Sequence, residues 1–213
     1  MKTIALIDYG SGNLHSAGRA LRVAANNAKK TREIKATADP EAIAYADRIV
    51  LPGVGHFADC ISNLRSRDGL VEALEEAVLK RGVPFLGICV GMQLLAEQGE
   101  EDGITPGLGW LPGTVSEIQP TGDLVVPHMG WNELKPTQDH ALLQHLPDNA
   151  HAYFVHSYAM TRCLDDYVLA RTDYGGAINA IIGKDNIAGT QFHPEKSQAV
   201  GLQLLSNFVL WNP

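Results

Sequence analysis

The sequence VPFLGICVGMQ, residues 83–93, predicts a strand, a sharp turn and a helix in direct succession. Its run Pro84–Ile88 predicts a buried β-strand, and the segment Gly91–Glu97 predicts a short helix. Cys89 stands at the turn between them, with a glycine two positions away on each side. A nucleophile elbow has this order, because the reactive residue is held in a strained turn that leaves no room for bulky neighbours. The stretch therefore predicts a cysteine nucleophile at the end of a strand.

The predicted helix supports a reactive thiol at Cys89. Its N-terminus would direct the positive end of the helix dipole at the sulfur and favour the thiolate. The backbone N–H of Val90 would then be an oxyanion donor. On these residues alone, an inert buried cysteine is an equally good interpretation. We interpret Cys60, in a helical run, and Cys163, in a loop-like stretch, as packing or surface residues, because neither has flanking glycines.

Strand-like and helical runs alternate on both sides of this stretch. The alternation predicts an α/β fold with a mainly parallel central sheet flanked by helices. From Gly99 to Val126, glycines and prolines predict loops and hairpins with short β segments. The predicted strands are Thr3–Asp8, Ile34–Thr37, Ile49–Leu51, Pro84–Ile88, Ala152–Val155, Tyr167–Thr172, Ile178–Gly183 and Ile187–Gln191. The predicted helices are Leu14–Ala25, Pro40–Ala46, Phe57–Leu64, Leu70–Lys80, Gly91–Glu97 and Gln198–Leu210.

The composition is typical of an ordinary globular protein and predicts a single domain over residues 1–213. Hydrophobic residues make up 45%, charged residues 19%, and the net charge is -7 with both signs interspersed, which argues against nucleic-acid and anionic-membrane partners. The uncharged stretch around Cys89 is too short to span a membrane. No secretory pattern begins the chain, so we expect a cytoplasmic protein. The three cysteines lack metal or disulfide spacing, and we expect neither a metal nor a cofactor.

A base and its orienting group follow the last predicted strand. A thiolate that attacks a carbonyl carbon needs an imidazole to manage its proton, and that imidazole needs a third group to fix its tautomer. His193 and Glu195 are two residues apart around Pro194, so both side chains project to the same side of an extended segment. We predict that this segment meets Cys89 at the C-terminal edge of the sheet. A chance surface pair is the alternative for these two residues.

These motifs together resemble the class I, triad-type glutamine amidotransferases. The elbow reads LGICVGMQLL at residues 86–95, and the histidine segment reads GTQFHPEKS at residues 189–197. The segments IDYGSGNL, LPGVGHF, GLGWLPGTV, VPHMGWNEL and YFVHSYA extend the resemblance from Ile7 to Phe208. They resemble in particular the branch of the family that delivers ammonia to a separate cyclase in histidine biosynthesis. The resemblance implies a flavodoxin-like fold.

The resemblance also implies a mechanism and a set of site residues. Cys89 would attack the side-chain amide of glutamine, His193 would protonate the departing ammonia, and Glu195 would orient His193. Water would then hydrolyse the thioester, and ammonia would pass to a (β/α)8-barrel cyclase that forms a heterodimer with this chain. The implied oxyanion donors are Val54, Gly55 and Val90. The implied substrate-binding residues are Gly55, Gln93, His156, Ser157 and Tyr158. The implied partner-facing residues are Asn13, Met129, Trp131, Asn132 and Lys196.

Three other functions are compatible with the same motifs. The chain could be a glutaminase for another synthase, or a free-standing cysteine hydrolase or peptidase without an ammonia acceptor. It could also be an idle interaction protein, although an intact set of Cys89, His193 and Glu195 argues against that.

Overall fold

The computed structural model describes residues 2–213, in which strands and helices alternate through the first half and strands dominate the second. A π-helical turn, Glu76–Lys80, continues the fourth helix. The strands are β1 (Lys2–Ile7), β2 (Arg32–Thr37), β3 (Arg48–Gly53), β4 (Phe85–Cys89), β5 (Gln98–Gly99), β6 (Thr105–Pro106), β7 (Gly113–Glu117), β8 (His128–Glu133), β9 (Lys135–Pro136), β10 (His151–His156), β11 (Tyr158–Cys163), β12 (Val168–Asp173), β13 (Ala177–Lys184) and β14 (Ile187–Thr190). The α-helices are α1 (Leu14–Asn27), α2 (Pro40–Ala44), α3 (Phe57–Arg65), α4 (Leu70–Glu75), α5 (Val90–Gln93) and α6 (Gln198–Leu210).

The central sheet has eight strands among residues 2–213, in the order β2-β1-β3-β4-β14-β13-β12-β9. The strands from β2 to β14 in this order are parallel, and β13, β12 and β9 continue the sheet in antiparallel pairing. The predicted α/β fold is therefore confirmed, and the half of the sheet that contains β4 is its parallel half. Both β3 and β4 are buried along their whole length, as expected for parallel strands covered by helices on both faces.

The pairing of β4 with β14 brings the two predicted catalytic segments together. Gly87 is opposite Gly189 and Ile88 is opposite Thr190 in a parallel register. Because parallel strands end at the same edge of a sheet, Cys89 and the segment after Thr190 emerge side by side. The predicted meeting of these segments is confirmed.

Two smaller sheets lie in the second half of the chain, and they contain the predicted strand over Ala152–Val155 and the short β segments predicted between Gly99 and Val126. Strands β11, β7, β5 and β6 form one of them, and β10 and β8 form the other. The prediction of a loop around Cys163 is wrong, because Cys163 ends β11 opposite Gly113 of β7. Strands β8 and β11 were missed because their apolar residues do not alternate clearly, and their pairing partners are distant in sequence.

The helix after the elbow is shorter than predicted. It ends at Gln93, whereas the sequence predicted a helix to Glu97. A loop over residues 107–111 passes close to the helix end, and the N–H of Leu108 donates to the carbonyl of Leu94 at 2.8 Å. These tertiary hydrogen bonds replace the intrahelical ones that would otherwise extend the helix.

Helix α6 closes the core. It packs beside α1, where the hydroxyl of Ser206 donates to the carbonyl of Ala24 at 3.2 Å. The buried guanidinium of Arg48 donates to the carbonyls of Phe208 and Trp211 at the end of α6. Across residues 2–213, none of the helices has the length and apolar character needed to cross a membrane.

Candidate active site

Cys89 occupies a strained turn between β4 and α5. Its φ of 54° and ψ of -113° lie outside the regions that residues other than glycine usually adopt. A Cβ on Gly87 would lie 2.5 Å from the carbonyl oxygen of Gly91, and a Cβ on Gly91 would lie 1.9 Å from the carbonyl oxygen of Leu51. Both contacts are too close for any side chain. The two glycines of the elbow are therefore steric requirements of this turn.

His193 and Glu195 form a buried pair beside Cys89. The Nδ1 atom of His193 lies 2.8 Å from Oε1 of Glu195, and their side chains are 4% and 3% exposed. Burial by itself would lower the pKa of His193, but hydrogen bonds with Cys89 and Glu195 outweigh it and raise the pKa to about 9. The imidazole is therefore protonated at neutral pH. The chance surface pair is excluded by this burial.

The backbone around His193 is held on both sides. Its N–H donates to the carbonyl of Tyr153 at 3.1 Å, and its carbonyl accepts a hydrogen bond from the hydroxyl of Ser197 at 2.7 Å. The same hydroxyl accepts from the N–H of Tyr153 at 2.9 Å. Strand β10 therefore positions the imidazole, a contribution that the sequence did not indicate.

The loop after β3 approaches the elbow closely. A Cβ on Gly53 would lie 2.5 Å from the backbone nitrogen of Gly91. Beyond it, Val54 is 42% exposed, and Gly55 has a φ of 97°, which favours glycine. Val54, Gly55 and Val90 all line the cleft above Cys89.

Cys60 contacts this loop in a way that the sequence did not predict. Its thiol donates a hydrogen bond to the carbonyl oxygen of Val54 at 3.3 Å. Burial raises the pKa of Cys60, although hydrogen bonds with Ser11 and Tyr9 oppose that shift. Cys60 is therefore a protonated donor that orients the peptide between Val54 and Gly55. Cys60 lies in α3, as the sequence predicted, but the sequence contained no signal for its contact with Val54.

The predicted substrate-binding residues surround one cleft with a volume of about 440 Å³. It also contains the carboxylate of Glu101, which the sequence did not indicate. That carboxylate accepts a hydrogen bond from the N–H of Phe57 at 2.8 Å, which fixes it at the start of α3. The lining residues are Val54, Gly55, Cys89, Val90, Gln93, Glu101, Pro127, Val155, His156, Ser157, Tyr158, His193 and Lys196.

Gln93 is buried in this cleft and does not face solvent. Its Nε2 donates to the carbonyl of Tyr158 at 2.8 Å and to Oε1 of Gln191 at 3.1 Å. The Nε2 of Gln191 in turn lies 3.9 Å from the sulfur of Cys89. Gln191 is a further residue that sequence reasoning missed, although it lies two positions before His193 on the same extended segment.

Among the predicted partner-facing residues, Met129, Trp131 and Lys196 are exposed, and Lys196 also lines the cleft. Met129 and Trp131 of β8 are 60% and 49% exposed, and because they are two residues apart on a strand, their apolar side chains lie on the same face. The ring of Trp131 contacts that of Tyr153 edge-on, with centroids 6.0 Å apart, and the ammonium of Lys196 lies 5.9 Å from the Tyr153 centroid. Asn132 is partly buried.

Asn13 is exposed and caps α1. Its Oδ1 accepts a hydrogen bond from the N–H of Ser16 at 3.1 Å. It also lines a small cavity together with His193 and Glu195. Within the described part of the chain, no group of three or more His, Cys, Asp or Glu side chains is arranged to hold a metal ion.

Comparison with known proteins connects this geometry to one family. Residues 5–211 match the family described as "Glutamine amidotransferase class-I". The chain is 53% identical to "Imidazole glycerol phosphate synthase subunit HisH" of Caulobacter vibrioides, with 100% of both chains covered. It is 55% identical to the protein of the same name from Rhodospirillum rubrum, with 99% of both chains covered.

Solved structures with low sequence identity share the fold. The crystal structure of a glutamine amidotransferase is similar with a TM-score of 0.69 and 17% identity, over 96% of this chain and 98% of that one. The glutaminase domain of Trypanosoma brucei CTPS is similar with a TM-score of 0.66 and 13% identity, over 100% of this chain and 96% of that one.

Proposed function

The chain belongs to the class I glutamine amidotransferases, and on that premise we propose that it is the glutaminase subunit of imidazole glycerol phosphate synthase, in histidine biosynthesis. The observation that carries this function is the buried His193–Glu195 pair beside the strained Cys89. It occurs in a chain that is more than half identical, over its whole length, to subunits of that enzyme.

The first chemical step joins Cys89 to glutamine. The sulfur attacks the side-chain amide carbon and forms a tetrahedral oxyanion, and the C–N bond then breaks to leave a thioester. His193, protonated at neutral pH, supplies the proton that the departing nitrogen needs to leave as ammonia. Glu195 orients His193 through the hydrogen bond to Nδ1 and stabilises the imidazolium. In the second step, the imidazole accepts a proton from water, which attacks the thioester and releases glutamate.

Backbone N–H groups stabilise the oxyanion in both steps. Val90 supplies one from the start of α5, and the Val54–Gly55 segment supplies the other from the adjacent loop. The close approach of Gly53 to Gly91 supports this pairing, because it places the two backbone segments beside each other. Donors of this kind contribute on the order of a hundredfold or more to the rate.

The cleft also has groups suited to the rest of the glutamine molecule. Glu101 is a carboxylate that can pair with the α-ammonium group of the substrate. Both hydrogens of the Gln93 amide are already used, so its Oε1 remains to accept a hydrogen bond from glutamine. Gly55, His156, Ser157 and Tyr158 complete the substrate-binding set.

The ammonia passes to a partner because free ammonia would otherwise be lost to solvent. The partner is a (β/α)8-barrel cyclase, which uses the ammonia to make imidazole glycerol phosphate and AICAR, and the two chains form a heterodimer in the cytoplasm. In this proposal the exposed side chains of Met129 and Trp131 supply apolar contacts of the interface, and Asn13, Asn132 and Lys196 supply polar ones.

Co-purification and a labelling experiment test the proposal. The chain should bind the cyclase, and the complex should transfer 15N from the amide of glutamine into the cyclised product. Cys89→Ala should abolish glutamate release without weakening the complex, whereas the control Cys163→Ala should retain activity, because Cys163 ends β11 and does not line the cleft. Glutamate release by Cys89→Ala would reject Cys89 as the nucleophile. Glutamate release without 15N transfer would instead indicate a free-standing hydrolase or a glutaminase for another synthase.

A further inference from the structure

A buried chain of hydrogen bonds connects strand β8 to the cleft. Asn132 Nδ2 lies 3.2 Å from His128 Nε2, and His128 Nδ1 lies 3.0 Å from His156 Nε2. His156 Nδ1 then lies 3.0 Å from the carbonyl oxygen of Tyr158. The two histidines are 2% and 6% exposed, so bulk water does not compete for these bonds.

The Tyr158 end of the chain determines the direction of the hydrogen bonds. A carbonyl oxygen only accepts, so Nδ1 of His156 carries the hydrogen. In a neutral imidazole the other nitrogen is then an acceptor, so Nε2 of His156 accepts from Nδ1 of His128. The same rule leaves Nε2 of His128 as an acceptor.

The Asn132 end determines the same direction independently. Its Oδ1 accepts from the N–H of Glu133 at 2.8 Å, and its Nδ2 donates to the carbonyl of Asp173 at 2.8 Å. The second hydrogen of Nδ2 is therefore available for His128 Nε2. The Tyr158 end and the Asn132 end therefore give the same direction of donation. Each polar atom in this chain of hydrogen bonds has a partner only when both imidazoles are neutral.

The surroundings keep both rings neutral. His128 stacks between Phe154 and Tyr174, with ring centroids 4.7 and 4.0 Å away. Burial lowers the pKa of His128 to about 4. Burial also lowers the pKa of His156 to about 4, and the nearby His128 and His193 add to this shift. A proton added to His156 would face these imidazoles and the phenol of Tyr174 next to His128, with no carboxylate among its hydrogen-bond partners.

We propose that Asn132, His128 and His156 form a one-way chain of neutral hydrogen bonds that positions the Tyr158 carbonyl and Gln93 for glutamine. The Tyr158 carbonyl accepts hydrogen bonds from both His156 and Gln93, so this chain of hydrogen bonds ends on Gln93, the side chain that meets the substrate. Asn132 and His128 are positioning residues, because they act on glutamine through other residues, whereas His156 also lines the cleft. The role in binding glutamine rests on the proposed glutaminase function, whereas the hydrogen-bond geometry is independent of that function.

The tautomers provide a test that is independent of activity. The glutaminase subunit is labelled with 15N-histidine and bound to unlabelled cyclase, and long-range 15N–1H spectra are recorded at pH 7. The signals of the two rings are assigned through substitutions of His128 and His156. Both rings should be neutral with the hydrogen on Nδ1. An Nε2–H tautomer or an imidazolium at either position would overturn the proposal. Absence of glutaminase activity in the wild-type complex would reject the proposed function and leave this measurement standing.

Two substitutions of His128 separate hydrogen bonding from packing. His128→Phe keeps the ring stack but leaves Nε2 of His156 without a donor, whereas His128→Asn keeps a donor near the Nδ1 position. In the complex, His128→Phe should raise the KM for glutamine on the order of tenfold with kcat changed less than about threefold. His128→Asn should restore KM to within about threefold of the wild type. Equal KM values for the wild type and His128→Phe, or for the two variants, would overturn the proposal. If His128→Phe does not fold, the tautomer spectra decide.

Discussion

Gly91→Ala tests whether steric packing at the elbow controls the reactive thiol. The added Cβ would lie 1.9 Å from the carbonyl oxygen of Leu51, and Cβ contacts under 3.0 Å essentially never occur. The backbone of α5 or β3 must therefore move by about 1 Å, because neither contact atom is on a flexible side chain. Overpacking of this kind costs about 1–3 kcal/mol, or a fall in Tm of roughly 2–12 °C for a chain of this size.

The same movement should impair catalysis. Val90 lies next to Gly91, so its N–H would shift relative to the sulfur of Cys89. A displacement of about 1 Å at reacting groups reduces the rate by about a hundredfold. Tm would be measured by calorimetry, and kcat by glutamate release in the complex with the cyclase.

Gly18→Ala is the matched control for this substitution. Gly18 lies within α1, and its added Cβ would meet the nearest atom, a side-chain carbon of Leu6, at an ordinary 3.5 Å. This variant should be as stable as the wild type or more stable by up to about 1 kcal/mol, because alanine is the better helix former. A Gly91→Ala variant with the Tm and kcat of the wild type would refute the steric argument.

Substitutions at three further residues test other parts of the structure. Glu195→Gln removes a charge that raises the pKa of His193, so the fall of kcat/KM that accompanies loss of the His193 proton near pH 9 should move to lower pH. The stability that this raised pKa contributes is fully present below pH 6.5 and is lost as the pH rises through 9, and in the variant it should be lost at a lower pH. An unchanged alkaline limb would contradict the assigned pair. Cys60→Ala leaves the Val54 carbonyl without its donor and should lower kcat by roughly three- to tenfold, whereas Cys60→Ser should retain more activity; equal kcat values for all three proteins would reject this role. Arg48→Met removes the hydrogen bonds at the end of α6 and should cost about 1–3 kcal/mol in urea unfolding with kcat retained, and an unchanged midpoint would count against it.

Features that depend on neighbouring residues could be predicted from the sequence. The elbow was recognisable because a strand, two glycines and a helix start within a few positions produce the turn locally. The His193–Glu195 pair was recognisable for a similar reason, because an extended segment places alternate side chains on one side. The parallel half of the sheet followed from alternating strands and helices. The family resemblance then gave these residues an order of chemical events.

Features that depend on pairing between distant segments became visible only in the folded chain. Strands β8 and β11 have weak periodicity and form only against β10 and β7. Cys60 meets Val54, and Glu101 reaches the cleft, because α3 packs across both segments. The hydrogen bond between His128 and His156 joins residues that lie in different strands. A local sequence pattern specifies which face a residue occupies but not which distant backbone or imidazole lies opposite, and burial then determines the charge of that imidazole.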